Sequence, residues 1–277
     1  MSGFIGTKLT MNLGERSYDI ILKNGALENL YQFARLDRRV AVVTDAGVPA
    51  EYAQRVADQC RDAKIITVPQ GEASKSMKIL ESVLRQMLEF NMGRGDLVIA
   101  VGGGVVGDLA GFAASIYMRG IDFINCPTTT LSMIDSSIGG KTAVDLGDTK
   151  NIVGAFWQPK LVIVDPETLS TLPRRHYING LAEAVKAGLL ADPELFAIFE
   201  KGDIDTQISE IIYRSLRFKK NVVEQDETER GMRKALNFGH TIGHGIEAVK
   251  GIKGRRTVGL FHGECVALGM LPMIESK

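Results

Sequence analysis

The stretch from Leu97 to Ser115 constrains the fold of this chain more than any other. It opens with five apolar residues, three of them β-branched, which is typical of a strand buried on both faces of a sheet. Gly102, Gly104 and Gly107 follow, and an apolar segment with helical character comes next. This is the G-x-G-x-x-G pattern, which between a strand and a helix binds a dinucleotide pyrophosphate. The sequence therefore predicts a nucleotide-binding turn. The alternative is a tight turn that only packs the helix on the strand.

The acidic residue that should accompany this pattern is displaced. A carboxylate that binds the ribose is expected about 20 residues downstream, where the next strand ends. Asp122 has that spacing, but it comes before the apolar run 123–126 and not after it. We therefore do not expect Asp122 to bind a ribose.

Strand and helix patterns alternate from the N-terminus to about residue 170. The predicted strands are 8–13 and 18–22, joined as a hairpin, and 40–44, 64–68, 97–101, 123–126 and 161–164. Helices are predicted over 49–63 and 74–90 and directly after the glycines. Beyond Pro173 only helical periodicity remains, over 178–190, 193–200, 204–224, 235–249 and 264–274. The prediction is an α/β protein with two domains. A doubly wound, mostly parallel, Rossmann-like sheet occupies residues 1–170, and an all-α domain occupies residues 171–277.

Charge and cysteine content limit the partners and the compartment. Lys and Arg together number 33, as do Asp and Glu, so no net field attracts nucleic acid or an anionic membrane. Cys60, Cys126 and Cys265 are far apart and form no C-x-x-C pair, which suits a reducing compartment. The sequence has no secretory signal and no uncharged apolar run of about 18 residues. We expect a cytoplasmic protein without nucleic-acid or membrane partners, in which an anionic ligand meets locally gathered bases.

Three of the four histidines lie in the last fifth of the chain. His240 and His244 are four residues apart and share one face of a predicted helix, and His262 precedes another helix. Glu183 and Lys186, three residues apart on an earlier helix, project together. One carboxylate with two imidazoles is a common ligand set for a catalytic zinc that keeps one position open. The alternative is that these histidines cap or pack helices.

Polar residues between the two predicted domains form a second candidate cluster. The segment 136–142 is rich in glycine, serine and threonine, which suits contact with a polar ligand, but its spacing is not that of a Walker A loop. The charged and amide residues of this cluster are Arg119, Asp135, Lys141, Lys150 and Asn151. Lys219 and Arg233 add bases near the histidines.

Eight short motifs run through the chain. They are GGGVVGD at 102–108, YMRG at 117–120, PTT at 127–129, DSSIGGKT at 135–142, KN at 150–151, EAVK at 183–186, NFGHTIGH at 237–244 and HGE at 262–264. In this order and over essentially the whole chain, they resemble the motifs of the 3-dehydroquinate synthase family. The resemblance implies an N-terminal dinucleotide-binding α/β domain and a C-terminal helical domain.

The resemblance also implies residue roles. The implied metal ligands, for zinc or cobalt, are Glu183, His240 and His262. The implied NAD contacts are Asp45, Glu72, Lys75, Gly103, Gly104, Val105, Asp108, Thr128, Thr129, Lys150, Thr171 and Leu172. The implied residues around the substrate are Arg119, Asp135, Lys141, Asn151, Lys186, Lys219, Arg233, Asn237 and His244. Asp45, which ends an earlier strand, would bind the ribose in place of Asp122.

The reaction implied by the resemblance consumes 3-deoxy-arabino-heptulosonate 7-phosphate, a sugar acid with a phosphate and a carboxylate. Its products are 3-dehydroquinate and phosphate. NAD would take a hydride from C5 and return it after phosphate leaves, while the metal stabilises the oxyanion. His244 would handle a proton or face the phosphate, and Arg and Lys side chains would clamp both anionic groups. A homodimer is implied as well.

Two departures from the family pattern carry expectations of their own. His176 stands where the family usually has a glutamate on the nucleotide side, so we expect altered NAD binding. Family members usually continue for several dozen residues beyond Lys277 and supply a further substrate-binding lysine there. We therefore expect NAD binding with impaired phosphate release. The alternatives are a related sugar-phosphate cyclase, an NAD- and metal-dependent polyol dehydrogenase, and an inactive NAD-binding fragment.

Overall fold

The computed structural model describes residues 6–249 and 259–275. Its strands are β1 (Thr7–Met11), β2 (Tyr18–Leu22), β3 (Arg39–Asp45), β4 (Asp62–Val68), β5 (Leu97–Gly102), β6 (Asp122–Pro127), β7 (Lys141–Leu146), β8 (Thr149–Phe156) and β9 (Leu161–Val164). Its helices are α1 (Ala50–Ala57), α2 (Met77–Glu89), α3 (Gly104–Ile116), α4 (Arg174–Ala191), α5 (Pro193–Lys201), α6 (Ile208–Gln225), α7 (His240–Ala248) and α8 (His262–Glu275). Among the residues described, no helix has the length and apolar character needed to cross a membrane.

Seven of these strands form one sheet in the order β1-β2-β9-β6-β5-β3-β4. Neighbouring strands in it are parallel except β1 and β2, which form the predicted antiparallel hairpin. β5 and β9 are buried along their whole length, as expected for uninterrupted apolar strands covered on both faces. The predicted α/β class, with a mostly parallel sheet followed by helices, is confirmed.

The direction of winding reverses between β3 and β5. From β3 the chain moves outward to β4 at the sheet edge, and it then returns to place β5 on the other side of β3. α1 covers one face of the sheet through Tyr52 and Val56, whereas α2 and α3 cover the other through Leu80 and Leu109. Ligands of doubly wound sheets bind at the carboxyl ends of the strands beside such a reversal. The topology therefore directs a ligand to the ends of β3 and β5.

The helices after residue 173 pack against the hairpin end of the sheet. Ile20 of β2 and Val162 of β9 share one buried cluster with Leu181 of α4, Leu195 of α5 and Leu216 of α6. α8 in turn contacts both α4 and α7. This continuous apolar core fixes the helical part of the chain relative to the sheet.

Three local predictions were wrong. The helix predicted over 49–63 ends at Ala57, because β4 already begins at Asp62 to pair with β3. No strand was predicted between residues 127 and 160, but β7 begins at Lys141, pairs with β8 as an antiparallel hairpin and buries Val144 in the core beside α3. The helix predicted over 235–249 is interrupted at Gly239, whose φ of +80° is left-handed, so α7 begins at the next residue.

Candidate active site

The turn from β5 to α3 leaves no room for side chains. A Cβ atom on Gly103 would lie 3.1 Å from the Thr129 methyl group, and one on Gly104 would lie 3.0 Å from the Ser136 hydroxyl. Glycine at both positions therefore lets the turn pack closely on its neighbours. It also leaves the first amides of α3 open, where the helix dipole favours a phosphate.

A pocket of about 250 Å³ opens beside this turn, at the carboxyl ends of β3 and β5. This nucleotide pocket is lined by eight of the predicted NAD contacts: Asp45, Gly103, Gly104, Val105, Thr128, Thr129, Thr171 and Leu172. Oδ1 of Asp45 accepts a hydrogen bond from the Gly47 amide at 2.7 Å, which fixes the direction of the carboxylate. Open helix amides for a pyrophosphate and a carboxylate for a ribose together fit a dinucleotide.

A second pocket, of about 500 Å³, contains four of the residues predicted to surround a substrate. This polar pocket is lined by Asp135, Lys141, Asn151 and Lys219, and also by Asp108, which was predicted to contact NAD. The β7–β8 hairpin supplies much of its wall, including Thr142 and Phe156. Ser136 also lines it and approaches Gly104 of the glycine turn, so the two pockets adjoin.

Each lysine among the predicted site residues contacts a carboxylate. The pairs are Lys75–Asp108, Lys141–Glu229, Lys150–Glu247, Lys186–Glu183 and Lys219–Asp135. The site therefore has strong local charges of both signs although the chain has no net charge. Each of these five lysines is therefore held in place by an ion pair with an acid of the same chain.

Lys219 on α6 and Asp135 form the most elaborate of these pairs. Nζ of Lys219 donates to the Asp135 carboxylate at 2.7 Å and to its carbonyl oxygen at 2.8 Å. Burial by itself raises the pKa of Asp135, but the charges of Lys219 and Lys186 outweigh burial and hold that pKa well below its ordinary value. Asp135 is therefore a stable anion at the border of the polar pocket.

Three imidazoles meet where α7 and α8 cross. They belong to His240, His244 and His262. Their ring centroids lie 5.3–5.7 Å apart, and one nitrogen from each ring can lie within 4.8 Å of the others. Nε2 of His240 also lies 3.5 Å from Oε1 of Glu183 on α4. The three predicted metal ligands, Glu183, His240 and His262, thus lie together, with His244 beside them.

Glycine contacts hold the three helices of this cluster close together. A Cβ atom on Gly269 of α8 would lie 2.2 Å from the Gly239 carbonyl oxygen just before α7. A Cβ atom on Gly263 would lie 1.9 Å from the Asn179 carbonyl oxygen of α4. Oδ1 of Asn179 accepts the Gly263 amide at 2.8 Å, which fixes the start of α8 beside His262.

Glu183 provides the test of whether this cluster suits a metal. Its side chain is 2% exposed, its Oε2 contacts the Lys186 ammonium, and its Oε1 accepts no hydrogen bond from the residues described. Burial, followed by the charge of Lys186, lowers the pKa of His240 to about 4. His240 is therefore neutral at pH 7, as a metal ligand must be. A buried carboxylate with one oxygen free of hydrogen bonds, beside a neutral imidazole, fits a divalent cation.

Comparison with known proteins decides the family. Residues 65–179 match the family model of the 3-dehydroquinate synthase N-terminal region, and residues 180–276 match that of the C-terminal region. The 3-dehydroquinate synthase of Pelobacter propionicus is 43% identical over 276 residues, covering 95% of this chain and 76% of that protein. The chain belongs to the 3-dehydroquinate synthase family. As a member, it is a carbon–oxygen lyase that converts 3-deoxy-arabino-heptulosonate 7-phosphate to 3-dehydroquinate and phosphate with NAD and a divalent metal.

Two solved structures of related cyclases resemble this member of the 3-dehydroquinate synthase family. A 2-deoxy-scyllo-inosose synthase complexed with carbaglucose-6-phosphate, NAD⁺ and Co²⁺ is 28% identical, with a TM-score of 0.86 over 96% of this chain and 75% of that one. ValA, a 2-epi-5-epi-valiolone synthase from Streptomyces hygroscopicus subsp. jinggangensis 5008 with NAD⁺ and Zn²⁺ bound, is 30% identical. Its TM-score is 0.80 over 94% of this chain and 74% of that one.

Some of the residues that the dehydroquinate synthase motifs imply are near the polar pocket without lining it. Arg233 is buried and donates to the Gly139 carbonyl oxygen at 3.0 Å. Nδ2 of Asn237 donates to Oε1 of Glu229 at 3.1 Å. Glu229, which lines the pocket and also contacts Lys141, was missed by the sequence analysis because an isolated acid in a loop has no distinctive pattern.

Of the four implied NAD contacts outside the nucleotide pocket, Glu72 and Asp108 lie beside Lys75, whereas Lys150 contacts Glu247. The Lys75 side chain is buried, and its Nζ donates to the Asp108 carboxylate at 2.7 Å and contacts the Asn151 amide oxygen. The Glu72 carboxylate lies 3.9 Å from the same Nζ. Lys75 therefore fixes the position of two residues that line the polar pocket.

Two further predicted positions differ in their surroundings. Arg119 is exposed in the turn after α3 and lines neither the nucleotide pocket nor the polar pocket. His176 lines the nucleotide pocket, and its ring stacks on Phe261 with 4.7 Å between centroids. His176 therefore lies on the nucleotide side, and altered NAD binding stays a prediction.

The geometry leaves two ligand triads open, one with Glu183 and two histidines and one with all three histidines. Nδ1 of His240 faces the Phe238 carbonyl oxygen at 3.4 Å, and Nδ1 of His262 faces Oε2 of Glu247 at 3.3 Å. The sequence analysis missed Glu247. A signal was present, because a residue seven positions after His240 lies on the same helix face.

Proposed function

We propose that the nucleotide pocket, the polar pocket and the histidine cluster form one active site, in which NAD, the sugar phosphate and a metal ion meet. The observation that carries this proposal is their contiguity. Ser136 connects the first two pockets, and Asp135 and Lys219 of the polar pocket also border a small cavity beside Glu183 and Lys186. A substrate in the polar pocket can therefore reach both cofactors.

NAD supplies a reversible hydride acceptor, and the metal ion supplies a Lewis acid for the substrate hydroxyl groups. The open amides of α3 hold the pyrophosphate, and the Asp45 carboxylate binds ribose hydroxyls. Thr128 and Thr129 close the pocket above the glycine turn. These side chains orient the cofactor at the end of the sheet that faces the polar pocket.

Glu183, His240 and His262 hold the metal ion in this proposal, with His244 outside the ligand set. Oε1 of Glu183 supports this choice, because a buried carboxylate oxygen without a hydrogen-bond donor gains from a nearby cation. Burial lowers the pKa of His244, so a ring nitrogen is available at pH 7 to take up and return a proton near the leaving phosphate.

The basic and amide residues of the polar pocket bind the two anionic groups of the substrate. Lys141, Asn151 and Lys219 line the pocket. When the substrate binds, its phosphate or carboxylate replaces some of the internal acids as the partner of these side chains. Arg233 does not line the pocket, but its hydrogen bond to the Gly139 carbonyl oxygen stabilises the segment that leads into β7. The many internal pairs keep these bases ordered before the substrate binds.

The proposal extends to assembly, compartment and domains. The family suggests a homodimer. The free cysteines Cys60, Cys126 and Cys265 suit a cytoplasmic location, because a reducing compartment keeps thiols unpaired. We also propose that residues 1–170 act as the NAD-binding domain and residues 171–277 as the metal- and substrate-binding domain.

The test is phosphate release from 3-deoxy-arabino-heptulosonate 7-phosphate in the presence of NAD and zinc. Expected are stoichiometric 3-dehydroquinate and phosphate, no net NADH, and loss of turnover with a chelator that zinc restores. Phosphate release only from a hexose 6-phosphate would identify another cyclase. Net NADH with a polyol would identify a dehydrogenase, and NAD binding without any turnover would identify an inactive fragment.

A further inference from the structure

Glu247 lies at the junction between the histidine cluster and the β7–β8 hairpin. It follows His240 and His244 on one face of α7, and its side chain is 24% exposed. One carboxylate oxygen accepts Nζ of Lys150 at 2.7 Å, and the other lies 3.3 Å from Nδ1 of His262 on α8. One carboxylate therefore contacts two residues that the sequence motifs assign to the active site.

The contact with His262 determines which ring nitrogen is free. A carboxylate that accepts a hydrogen bond from Nδ1 fixes the proton there and leaves the Nε2 lone pair for a metal ion. It also prevents rotation of the ring. Because α8 is fixed near its start by Asn179, the Glu247 contact determines the remaining freedom of the His262 side chain.

We propose that Glu247 is a positioning residue for the metal site: it holds His262 in the Nδ1-protonated form with Nε2 directed at the metal ion. This inference rests on the proposed function, since it takes His262 as a ligand. Its second contact joins the metal site to Lys150 near the start of β8. The neighbouring Asn151 contacts Lys75.

A competing account gives Glu247 only the task of neutralising Lys150. The two accounts differ in what happens when Lys150 is removed. If Glu247 acts through His262, Lys150→Met leaves the hydrogen bond to the imidazole in place and zinc affinity stays close to that of the unchanged protein. If Glu247 acts through Lys150, that variant weakens zinc as much as loss of Glu247 does.

The experiment measures zinc affinity of the full chain by competition with a chromophoric chelator, and the visible absorption of the Co²⁺-substituted protein. The variants are Glu247→Gln, Glu247→Ala and Lys150→Met. Glu224→Gln is the matched control, because Glu224 on α6 also accepts a hydrogen bond from a lysine, at 2.8 Å from Lys220, and its second partner is Asn12 next to β1. Far-UV circular dichroism of each metal-free variant verifies folding.

We expect both Glu247 variants to weaken zinc binding about 10- to 100-fold and to change the Co²⁺ spectrum, as loss of an outer-shell partner does. Lys150→Met and Glu224→Gln should stay within about threefold of the unchanged protein, which is small beside that loss. Unchanged zinc affinity and Co²⁺ spectrum in Glu247→Gln and Glu247→Ala would overturn the inference, and so would an equal loss in Lys150→Met. Failure of the unchanged protein to bind zinc, or retention of zinc by His262→Ala, would instead overturn the proposed metal site itself.

Discussion

The nucleotide pocket and the histidine cluster are held in place by different means. The first is formed by backbone: the ends of two hydrogen-bonded parallel strands, a glycine turn and a helix N-terminus. The second is formed by side chains from α4, α7 and α8, kept together by glycine contacts and ion pairs between acids and bases. We therefore expect NAD binding to survive changes in the histidine cluster, and metal binding to survive changes in the glycine turn.

The largest expected effect distinguishes the role of His240 from that of His244. His240→Ala should lose the metal and reduce turnover at least about 10³-fold, because a Lewis acid supplies several kcal/mol of transition-state stabilisation. His244→Ala should retain the metal and lose turnover by about 10²-fold, the loss of a proton-transfer group. Elemental analysis and phosphate release measure the two effects.

NAD affinity is the internal control in both histidine variants. It should remain unchanged in each, since neither side chain lines the nucleotide pocket. Equal loss of metal from the two variants would show that His244 is a ligand and that the predicted triad is wrong.

The next effect is confined to the glycine turn. In Gly104→Val, the side chain would meet Ser136 and stand where a pyrophosphate must approach. NAD affinity should fall at least about 100-fold, or about 2.7 kcal/mol, with zinc content unchanged. Isothermal titration calorimetry measures the affinity.

Gly95→Val is the matched control for this change, because a Cβ atom at Gly95 meets no atom within 4 Å in the described part of the chain. It should bind NAD normally. Undiminished NAD affinity in Gly104→Val would remove the glycine turn from the cofactor site.

A smaller effect is expected where α8 packs on α7. A change there should lower zinc affinity and leave NAD affinity unchanged, the reverse of the pattern in the glycine turn. Gly269→Ala places a methyl group against the Gly239 carbonyl oxygen and should separate the helices. Overpacking of this kind costs about 1–3 kcal/mol, so zinc affinity should fall about 10-fold while NAD affinity stays constant. Chelator competition measures the zinc affinity.

Gly245→Ala, on the neighbouring helix α7, controls for the change from glycine to alanine in a helix, because its Cβ meets no atom of the described residues within 4 Å. It should keep its zinc affinity. A fall in NAD affinity in Gly269→Ala would contradict the independence of the two regions.

The smallest effect concerns the contact between sheet and helices at Glu224. Its carboxylate accepts the Asn12 amide at 2.6 Å and Nζ of Lys220 at 2.8 Å. Burial raises the pKa of Glu224, but these hydrogen bonds outweigh burial and hold it below the ordinary value of 4.5. Because the unfolded chain binds this proton more tightly, Glu224 stabilises the fold above pH 4.5 and loses that contribution as the pH falls through its folded-state pKa.

Urea unfolding of Glu224→Gln tests this sign. The free energy of unfolding should drop by no more than about 1 kcal/mol at pH 7, and the difference from the unchanged protein should shrink at lower pH. Glu81→Gln on α2, whose pair with Arg85 is largely exposed, should show a smaller difference. An equal difference at pH 7 and pH 3 would contradict the assigned pKa direction.

The sequence predicted the regular parts of the fold well because their signals are local. The apolar runs of β5 and β9 and the glycines after β5 can each be recognised within a few residues. The hairpin of β7 and β8 was missed, because its exposed β8 carries polar residues and its stability depends on burying Val144 beside α3. The break before α7 was missed because only the packing of α8 requires a left-handed Gly239.

The sequence by itself determined the fold class, the position of the glycine turn and the candidate residues, since each depends on neighbours along the chain. The tertiary structure alone decided which candidates meet. It joined Lys219 to Asp135 and His240 to Glu183, separated Arg119 from both pockets, and introduced Glu229 and Glu247. The physical reason is that ion pairs form between side chains that are close in space. That distance is determined by how the helices pack and cannot be read from the spacing of residues along the sequence.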